Sequence, residues 1–402
     1  YIFEHWEDTF ASQFLNGLNP MLIHHCHDTT VASKLGLRTS LQTELKRGSL
    51  FLVDHSILSG IHTNVINGKP PFSADPMILL YHPGCGSLLP LAIQLSQTPR
   101  PNSPIFLPTD EKWDWLLAKI WVNAEFSVHE ALTHLLRDYL LPEVFSMAML
   151  HQLPHCHLFF KLLIPHTWCI LHINVLACKL LITSGVVGRS TGFGIGGFSK
   201  LIQRNIEQLK SSLCLPKDIR NIVEDISGYY YMQSWDKVEC FVSKITSIYY
   251  PSDMSIHDDS KLAWVWEIFS EGFLGMESAG MPSSLETREA LVHCVTMVIF
   301  AKHSGISAGQ FDFGAWMPNL PPTMQLPLPT FKSQTSLEGF IATLPPVNAI
   351  CDIIITLLLN KEPGEGWPLG TYPDGYFVKE ASSLPLPYTY LDPPLIESSV
   401  ST

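Results

Sequence analysis

The chain has 402 residues, of which 46% are hydrophobic and 15% are charged, and its net charge at pH 7 is -12. This large apolar share argues against intrinsic disorder, and an acidic chain without a long basic block is not expected to bind nucleic acid. The nine cysteines are odd in number and form no C-x-x-C pair, which is typical of a reduced compartment, so we expect a cytoplasmic protein. No uninterrupted apolar run reaches the ~18 residues that suggest a membrane span.

The first 110 residues predict short strands separated by turns. GSLFLVDHSILSG is typical of a strand and a turn, and MILLYHPGCG of a strand that ends at Pro-Gly. From Asp110 onward, helical periodicity with few turn residues predicts long helices. These are Glu111–Leu141, Pro142–Leu163, His166–Ile182, Tyr229–Tyr250, Lys261–Glu271, Ser284–His303 and Ala349–Lys361. We expect one mainly α-helical domain over residues 1–402, with a small β element near its start.

The first long predicted helix contains HEALTH, residues 129–134, with two histidines five positions apart. On a regular α-helix, five steps of about 100° leave two side chains roughly 140° apart, too far to hold one ion. A π-bulge, which closes i→i+5 and often marks a functional site, would bring them onto one face. The pair is therefore either two unrelated histidines or a metal site on a locally widened helix. A zinc peptidase is disfavoured, because its H-E-x-x-H motif needs i,i+4 spacing.

The helix predicted at Ser284–His303 has informative residues at both ends. Ser284, with Glu286 and Glu289 close behind it, predicts a capping box at the start. At the other end His303 and Ser307 are four residues apart, so both can face one point. Alone, such a pair does not indicate a site.

Two other motifs have a structural interpretation beside a functional one. GFGIGG at residues 192–197 matches G-x-G-x-x-G, but no βαβ pattern surrounds it, which favours a loop before a helix over a dinucleotide site. In HQLPHCHLFF, His155 and His157 could chelate a metal. Pro154 ends the preceding helix and no second cluster has matching spacing, so packing is the favoured role of both histidines.

Several motifs in the same order along the chain resemble the animal lipoxygenases, in particular their type 2 15-lipoxygenase branch. They are HEALTHLL, AKHSGISAGQ, MPNLPP and YTYLDPPLIESSVST, together with QFLNGLNP, VINGKP, PIFLPTD, WDWLLAK, LPHCH, LLIPHT, PSSLETREAL and FIATLPPVNA. Many colinear matches are far more specific than any one motif, and here they cover essentially the whole chain.

The resemblance implies a fold and a set of site residues. The fold is a lipoxygenase catalytic domain, mainly α, with a large helical bundle, a π-bulged metal-binding helix and a small β element. The family's N-terminal β-sandwich and the start of the catalytic domain are expected to be absent. The implied metal ligands are His129, His134, His303, Ser307 and the main-chain carboxylate of Thr402, where the family has Ile, and the implied substrate-binding residues are Leu181, Ile182, Asp352 and Ile353.

The chemistry implied by the resemblance is oxygenation of a polyunsaturated fatty acid. Imidazole and carboxylate ligands with an open position suit one non-haem iron per chain. An iron-bound hydroxide, rather than a side-chain base, is expected to take a hydrogen atom from a bis-allylic carbon of an arachidonate- or linoleate-like chain. O2 then adds to the radical, giving a hydroperoxide. We further expect a monomer with peripheral membrane contact.

Some segments are shorter than in the family. VIFAKH lacks about three residues before Ala301, and the stretch before LPYTYLD lacks a long helix. Removing three residues from a helix turns its far end by roughly 60° relative to the near end. These gaps keep an alternative open, in which the chain is a catalytically impaired, lipoxygenase-like protein that binds lipid or a partner.

Overall fold

The three-dimensional structure is a computed structural model. It describes residues 10–11, 13–15, 22–27, 40–63, 65, 72–84, 86–97, 102–133, 140–167, 170–179, 193–209, 230–300, 324, 326–333 and 336–344. The strands are β1 Ile23–His25, β2 Leu50–Asp54, β3 Met77–Tyr81, β4 Leu89–Gln94 and β5 Ile105–Phe106. The α-helices are α1 Ser40–Arg47, α2 Lys112–Thr133, α3 Leu141–Gln152, α4 Leu158–Leu163, α5 Ile170–Ala177, α6 Gly194–Leu209, α7 Tyr230–Tyr249, α8 Asp253–His257, α9 Trp264–Glu267, α10 at residues 288–300 and α11 Leu337–Ile341. Among these helices none is long and apolar enough to cross a membrane.

The five strands form one antiparallel sheet whose strand order follows the chain. Leu50 of β2 lies opposite Tyr81 of β3, and the β3–β4 pairing is shifted by a bulge between Leu79 and Leu80. Because side chains alternate along a strand, the two faces of the sheet pack against different clusters. Phe51, Val53, Ile78, Leu80 and Ile93 belong to the main core, whereas Leu50, Leu79 and Ala92 form a second cluster with Cys26. The predicted β element is confirmed.

Helix α2 runs through the main hydrophobic core. Every residue from Trp115 to Asn123 is at most 8% exposed, and a helix buried on all sides lies inside a core. The ring of Phe10 packs against it, with its centroid 6.0 Å from Lys119 Nζ. Gln13 Nε2 donates a hydrogen bond to Asn123 Oδ1 at 2.8 Å. Both apolar and polar contacts therefore fix α2 in place.

The single helix predicted at Pro142–Leu163 is in fact two helices, α3 and α4. Helix α3 ends at Gln152, and Pro154 lies in the connection that follows. His157 caps α4, because its Nδ1 accepts a hydrogen bond from the backbone N–H of Phe159 at 3.2 Å. Proline lacks the N–H that a continuing helix needs, which explains the break. The helix predicted at Tyr229–Tyr250 is confirmed as α7.

Helix α10 begins at residue 288, later than predicted, and the predicted capping box at Ser284 is wrong. Thr287 is the cap, because its Oγ1 accepts a hydrogen bond from the backbone N–H of Ala290 at 3.2 Å. The backbone N–H of Arg288 donates to Asp253 Oδ1 at 2.8 Å. This second partner comes from α8, which lies 35 residues earlier in the chain. A start fixed by such a distant residue is not visible in local sequence.

Candidate metal centre

Helix α2 carries His129 beyond its buried half. The backbone from Lys112 to Thr133 is α-helical, so His129 lies within a regular helix up to that point. His134 falls one position after Thr133 and is outside the described residues, as are the turns that a π-bulge would widen. The predicted helix is confirmed here, while the π-bulge stays a prediction.

Helix α10 leads toward the second predicted pair of ligands. Its residues Cys294–Phe300 are all buried, and all except Thr296 belong to the same hydrophobic core as α2. Phe300 is the last described residue of this helix, three positions before His303. His303, Ser307 and Thr402 lie outside the described residues, so their roles as ligands stay predictions. Both helices that lead to the predicted ligands are therefore part of the main hydrophobic core.

The chain is anchored again after the segment that contains His303 and Ser307. Met324 is 1% exposed and pairs with Phe72, whose backbone N–H donates to the Met324 carbonyl at 2.9 Å. The following stretch contacts the start of α2 through Lys332 Nζ, which lies 2.6 Å from Asp110 Oδ2. Both flanks of this segment are thus held by the core that contains α2.

The predicted substrate-binding residues Leu181, Ile182, Asp352 and Ile353 lie outside the described residues. Helix α5 and the π-turn at Cys178 and Lys179 lead to the first two of these residues. Asn174 Nδ2 of α5 donates to Glu143 Oε2 of α3 at 2.5 Å, which fixes α5 against its neighbour. Helix α5, which precedes Leu181 and Ile182 in the chain, is therefore held in place by α3.

His155 and His157 serve packing and capping. The His155 ring lies on Phe160, with 4.5 Å between ring centroids. His157 Nε2 donates to Asp259 Oδ2 at 3.0 Å, and the Tyr250 hydroxyl donates to the same oxygen at 2.5 Å. Within the described ranges, no group of three or more His, Cys, Asp or Glu residues could hold a metal ion. Sequence analysis missed Asp259 and Tyr250, because they lie 102 and 93 residues from His157.

His157, Tyr250 and Asp259 form a polar cluster in which the pKa values of Tyr250 and Asp259 are shifted. Partial burial alone would raise the pKa of Asp259, but hydrogen bonds from Tyr250 and His157 outweigh it and lower the pKa. Burial raises the pKa of Tyr250, and the hydrogen bond and negative charge of Asp259 raise it further. Asp259 is therefore a carboxylate and Tyr250 a neutral phenol at neutral pH. The cluster lies in an open cleft of about 700 Å³ whose lining also includes Cys156 and Lys161.

The glycine motif at residues 192–197 lies where the start of α6 packs against the backbone at His62. Helix α6 begins at Gly194, inside the motif, so the predicted loop before the helix is wrong for its second half. A Cβ on Gly197 would lie 2.8 Å from the carbonyl oxygen of His62, which explains the glycine by close packing. The described sheet is antiparallel and lacks the βαβ unit of a dinucleotide site.

The lipoxygenase family profile matches residues 30–195 and 198–349. These ranges make up most of the chain, so the chain belongs to the lipoxygenase family. The resemblance found in the motifs is confirmed.

The relatives support the predicted branch of the family. Polyunsaturated fatty acid lipoxygenase ALOX15B of Homo sapiens is 66% identical to this chain, that of Rattus norvegicus 62%, and polyunsaturated fatty acid lipoxygenase ALOX8 of Mus musculus 59%. Each alignment covers all of this chain and 66% of the relative, so the chain spans just under two thirds of the length of these relatives. The alignments are 449 positions long against 402 residues, so segments of the relatives have no counterpart here.

Solved structures confirm the predicted fold class. A calcium-dependent 11R-lipoxygenase superposes with a TM-score of 0.81 at 29% identity, covering 99% of this chain and 61% of the other. Coral 8R-lipoxygenase gives a TM-score of 0.83 at 28% identity, with the same coverage. Together with the observed helices and small sheet, these similarities define a mainly α-helical lipoxygenase catalytic fold.

Proposed function

We propose that this chain is a non-haem iron dioxygenase that inserts O2 into polyunsaturated fatty acids to give hydroperoxides. The observation that carries this proposal is membership of the lipoxygenase family, with relatives described as polyunsaturated fatty acid lipoxygenases. The chain spans less than two thirds of those relatives, so activity and substrate are carried over as a proposal.

The donor set of the chain fits iron. His129, His134 and His303 supply imidazoles, Ser307 a weak oxygen ligand, and Thr402 its main-chain carboxylate. Nitrogen and carboxylate donors with an open position are typical of non-haem iron sites that use oxygen. When bound, iron supplies the one-electron chemistry that removes a hydrogen atom from a bis-allylic carbon.

The residues of the chain position the substrate and exclude water. Leu181, Ile182, Asp352 and Ile353 are proposed to line the acyl-chain cavity, where apolar contacts would orient the reacting carbon. A water-excluding, apolar surrounding protects a reactive intermediate from side reactions. The deep burial of Trp115–Asn123 in α2 and of Cys294–Phe300 in α10 supports such a setting. No side chain is required as a base.

Iron content of the folded chain tests the proposal directly. Elemental analysis of purified protein, with circular dichroism to verify folding, is expected to give about one iron per chain, the number that one such ligand set binds. His129→Ala is expected to lose the iron, together with conjugated-diene formation from arachidonate, and to remain folded. His257→Ala is the matched control, because that side chain is 78% exposed and its Nδ1 lies 4.0 Å from Asp258 Oδ1, at the outer limit of an ion pair. A folded wild-type chain without iron would leave the impaired, lipid-binding alternative.

The chain is further proposed to act as a cytoplasmic monomer with peripheral membrane contact. The odd number of cysteines supports a reduced compartment, as do the exposed free thiols of Cys156 and Cys240. The acidic net charge gives no support to nucleic acid as a partner.

A further inference from the structure

Trp235 of α7 packs against one face of α10 and contacts two of its turns. It is 1% exposed. Its ring centroid lies 5.3 Å from that of His293 and 4.9 Å from that of Phe300, the latter ring meeting it edge-on at 73°. His293 and Phe300 are seven residues apart, so they differ in direction by only about 20° around the helix. One indole thus contacts one face of α10 over two turns.

Such a contact fixes how α10 is rotated about its own axis. Trp235 cannot shift easily, because Val242 and Ile245 hold the rest of α7 in the same core at 0% and 2% exposure. Cores are close-packed, so a helix that contacts a large ring at two levels cannot turn without losing both contacts. Phe300 is the last residue before AKH, the segment that carries His303. The rotation of α10 therefore sets the orientation of its last described turn, from which the chain continues toward His303.

We propose that Trp235 is a positioning residue for the metal centre, which acts by holding the rotation of α10 and hence the approach of His303. This inference rests on the proposed function, because it concerns the same iron. Trp235 itself would not touch the metal or the substrate. Its indole Nε1 has no hydrogen-bond partner within the described part of the chain. The flat ring, rather than the N–H group, is therefore the feature that positions α10.

The test compares two buried tryptophans in the full chain. Trp264 is 0% exposed, lies in the same core on α9 and makes no described ring contact with α10, so Trp264→Ala is the matched control. Both alanine variants are expected to lower the thermal midpoint. Only Trp235→Ala is expected to weaken iron affinity, by about tenfold, the lower range for groups that orient metal ligands. Its ferric electron paramagnetic resonance spectrum should also change, and Trp235→Phe should restore both affinity and spectrum.

Each result has a defined meaning. If Trp235→Ala fails to fold, Trp235→Leu, which keeps part of the apolar volume without the flat ring, is compared with Trp264→Leu in the same way. Unchanged iron affinity and spectrum in the Trp235 variants would overturn the inference while leaving the proposed function intact. An equal loss of iron in the Trp264 variant would also overturn it, because general core destabilisation would then explain the effect. Absence of iron from the folded wild-type chain would overturn the proposed function and, with it, this inference.

Discussion

Asp259 links His157, which lies 102 residues earlier in the chain, to Tyr250 and Lys261 in its own neighbourhood. Its Oδ2 accepts hydrogen bonds from His157 and Tyr250, and its Oδ1 accepts one from the backbone N–H of Lys261 at 3.0 Å. Hydrogen bonds to a charged group contribute about 1.5–3 kcal/mol each, and a buried group that loses its partner costs more than the bond gains. Asp259→Asn is therefore expected to lower the free energy of unfolding by about 2 kcal/mol at neutral pH.

The pH dependence of that loss follows from the lowered pKa of Asp259. A carboxyl group with a lowered pKa in the fold stabilises it fully above the unfolded pKa, about 3.9, and less as the pH falls through the folded pKa. Urea unfolding at pH 7 and near pH 3 should thus show the difference between wild type and Asp259→Asn shrinking in acid. Asp258→Asn is the neighbouring control at a side chain that is 72% exposed, and a change within about 0.5 kcal/mol is expected there. A difference that is the same at both pH values would contradict the assignment.

At the scale of helices and strands, local sequence accounts for the elements better than for their contacts. Alternation and turn residues predicted β2 and β3, and periodicity predicted α2 and α7. The break at Pro154 splits one predicted helix, because a proline outweighs continuous apolar periodicity. The start of α10 depends on Asp253, and no local pattern contains a partner that distant.

The candidate site shows the same division between local and distant information. Helical periodicity placed His129 on a helix, and that helix is observed as α2, whereas its role as a metal ligand, implied by the motif resemblance, stays a prediction. The role of Trp235 could not be inferred from sequence, because its partners His293 and Phe300 lie 58 or more positions away and only the packing of α7 on α10 brings them together. Side-chain contacts between elements are a property of the folded core.

The packing of α10 also leads to an expectation for iron binding if, as the family resemblance predicts, the segment before Ala301 is about three residues short. Because Trp235 fixes the rotation of α10 up to Phe300, turning the helix cannot compensate for the three residues that the family resemblance predicts to be missing. Inserting three alanines between Phe300 and Ala301 adds about 4.5 Å and 300° of helix, which would restore the family spacing to His303. The insertion is expected to raise iron affinity by about tenfold, as measured by competition with a chelator. Inserting two alanines is the control, because it turns the segment by about 200° instead; equal iron binding by both insertions would refute the expectation.

For the whole molecule, charge and exposed apolar groups have opposite effects on association. The net charge of -12 repels other copies of the chain and anionic surfaces. Trp266, Leu274 and Phe331 are 56%, 77% and 67% exposed, and apolar side chains of this kind can contact a lipid surface without a specific headgroup. The expected behaviour is a monomer that binds neutral vesicles weakly.

Sedimentation velocity and vesicle flotation test this expectation together. The chain should sediment as a monomer of 45.0 kDa. It should float with phosphatidylcholine vesicles more than with vesicles rich in phosphatidylserine, because like charges repel at the anionic surface. Raising the salt concentration should reduce the difference between the two vesicle types, since salt screens exposed charges beyond about 8–10 Å. Stronger binding to anionic vesicles would show that a local basic surface outweighs the net charge, and a stable dimer would show that the exposed apolar groups pair copies of the chain instead.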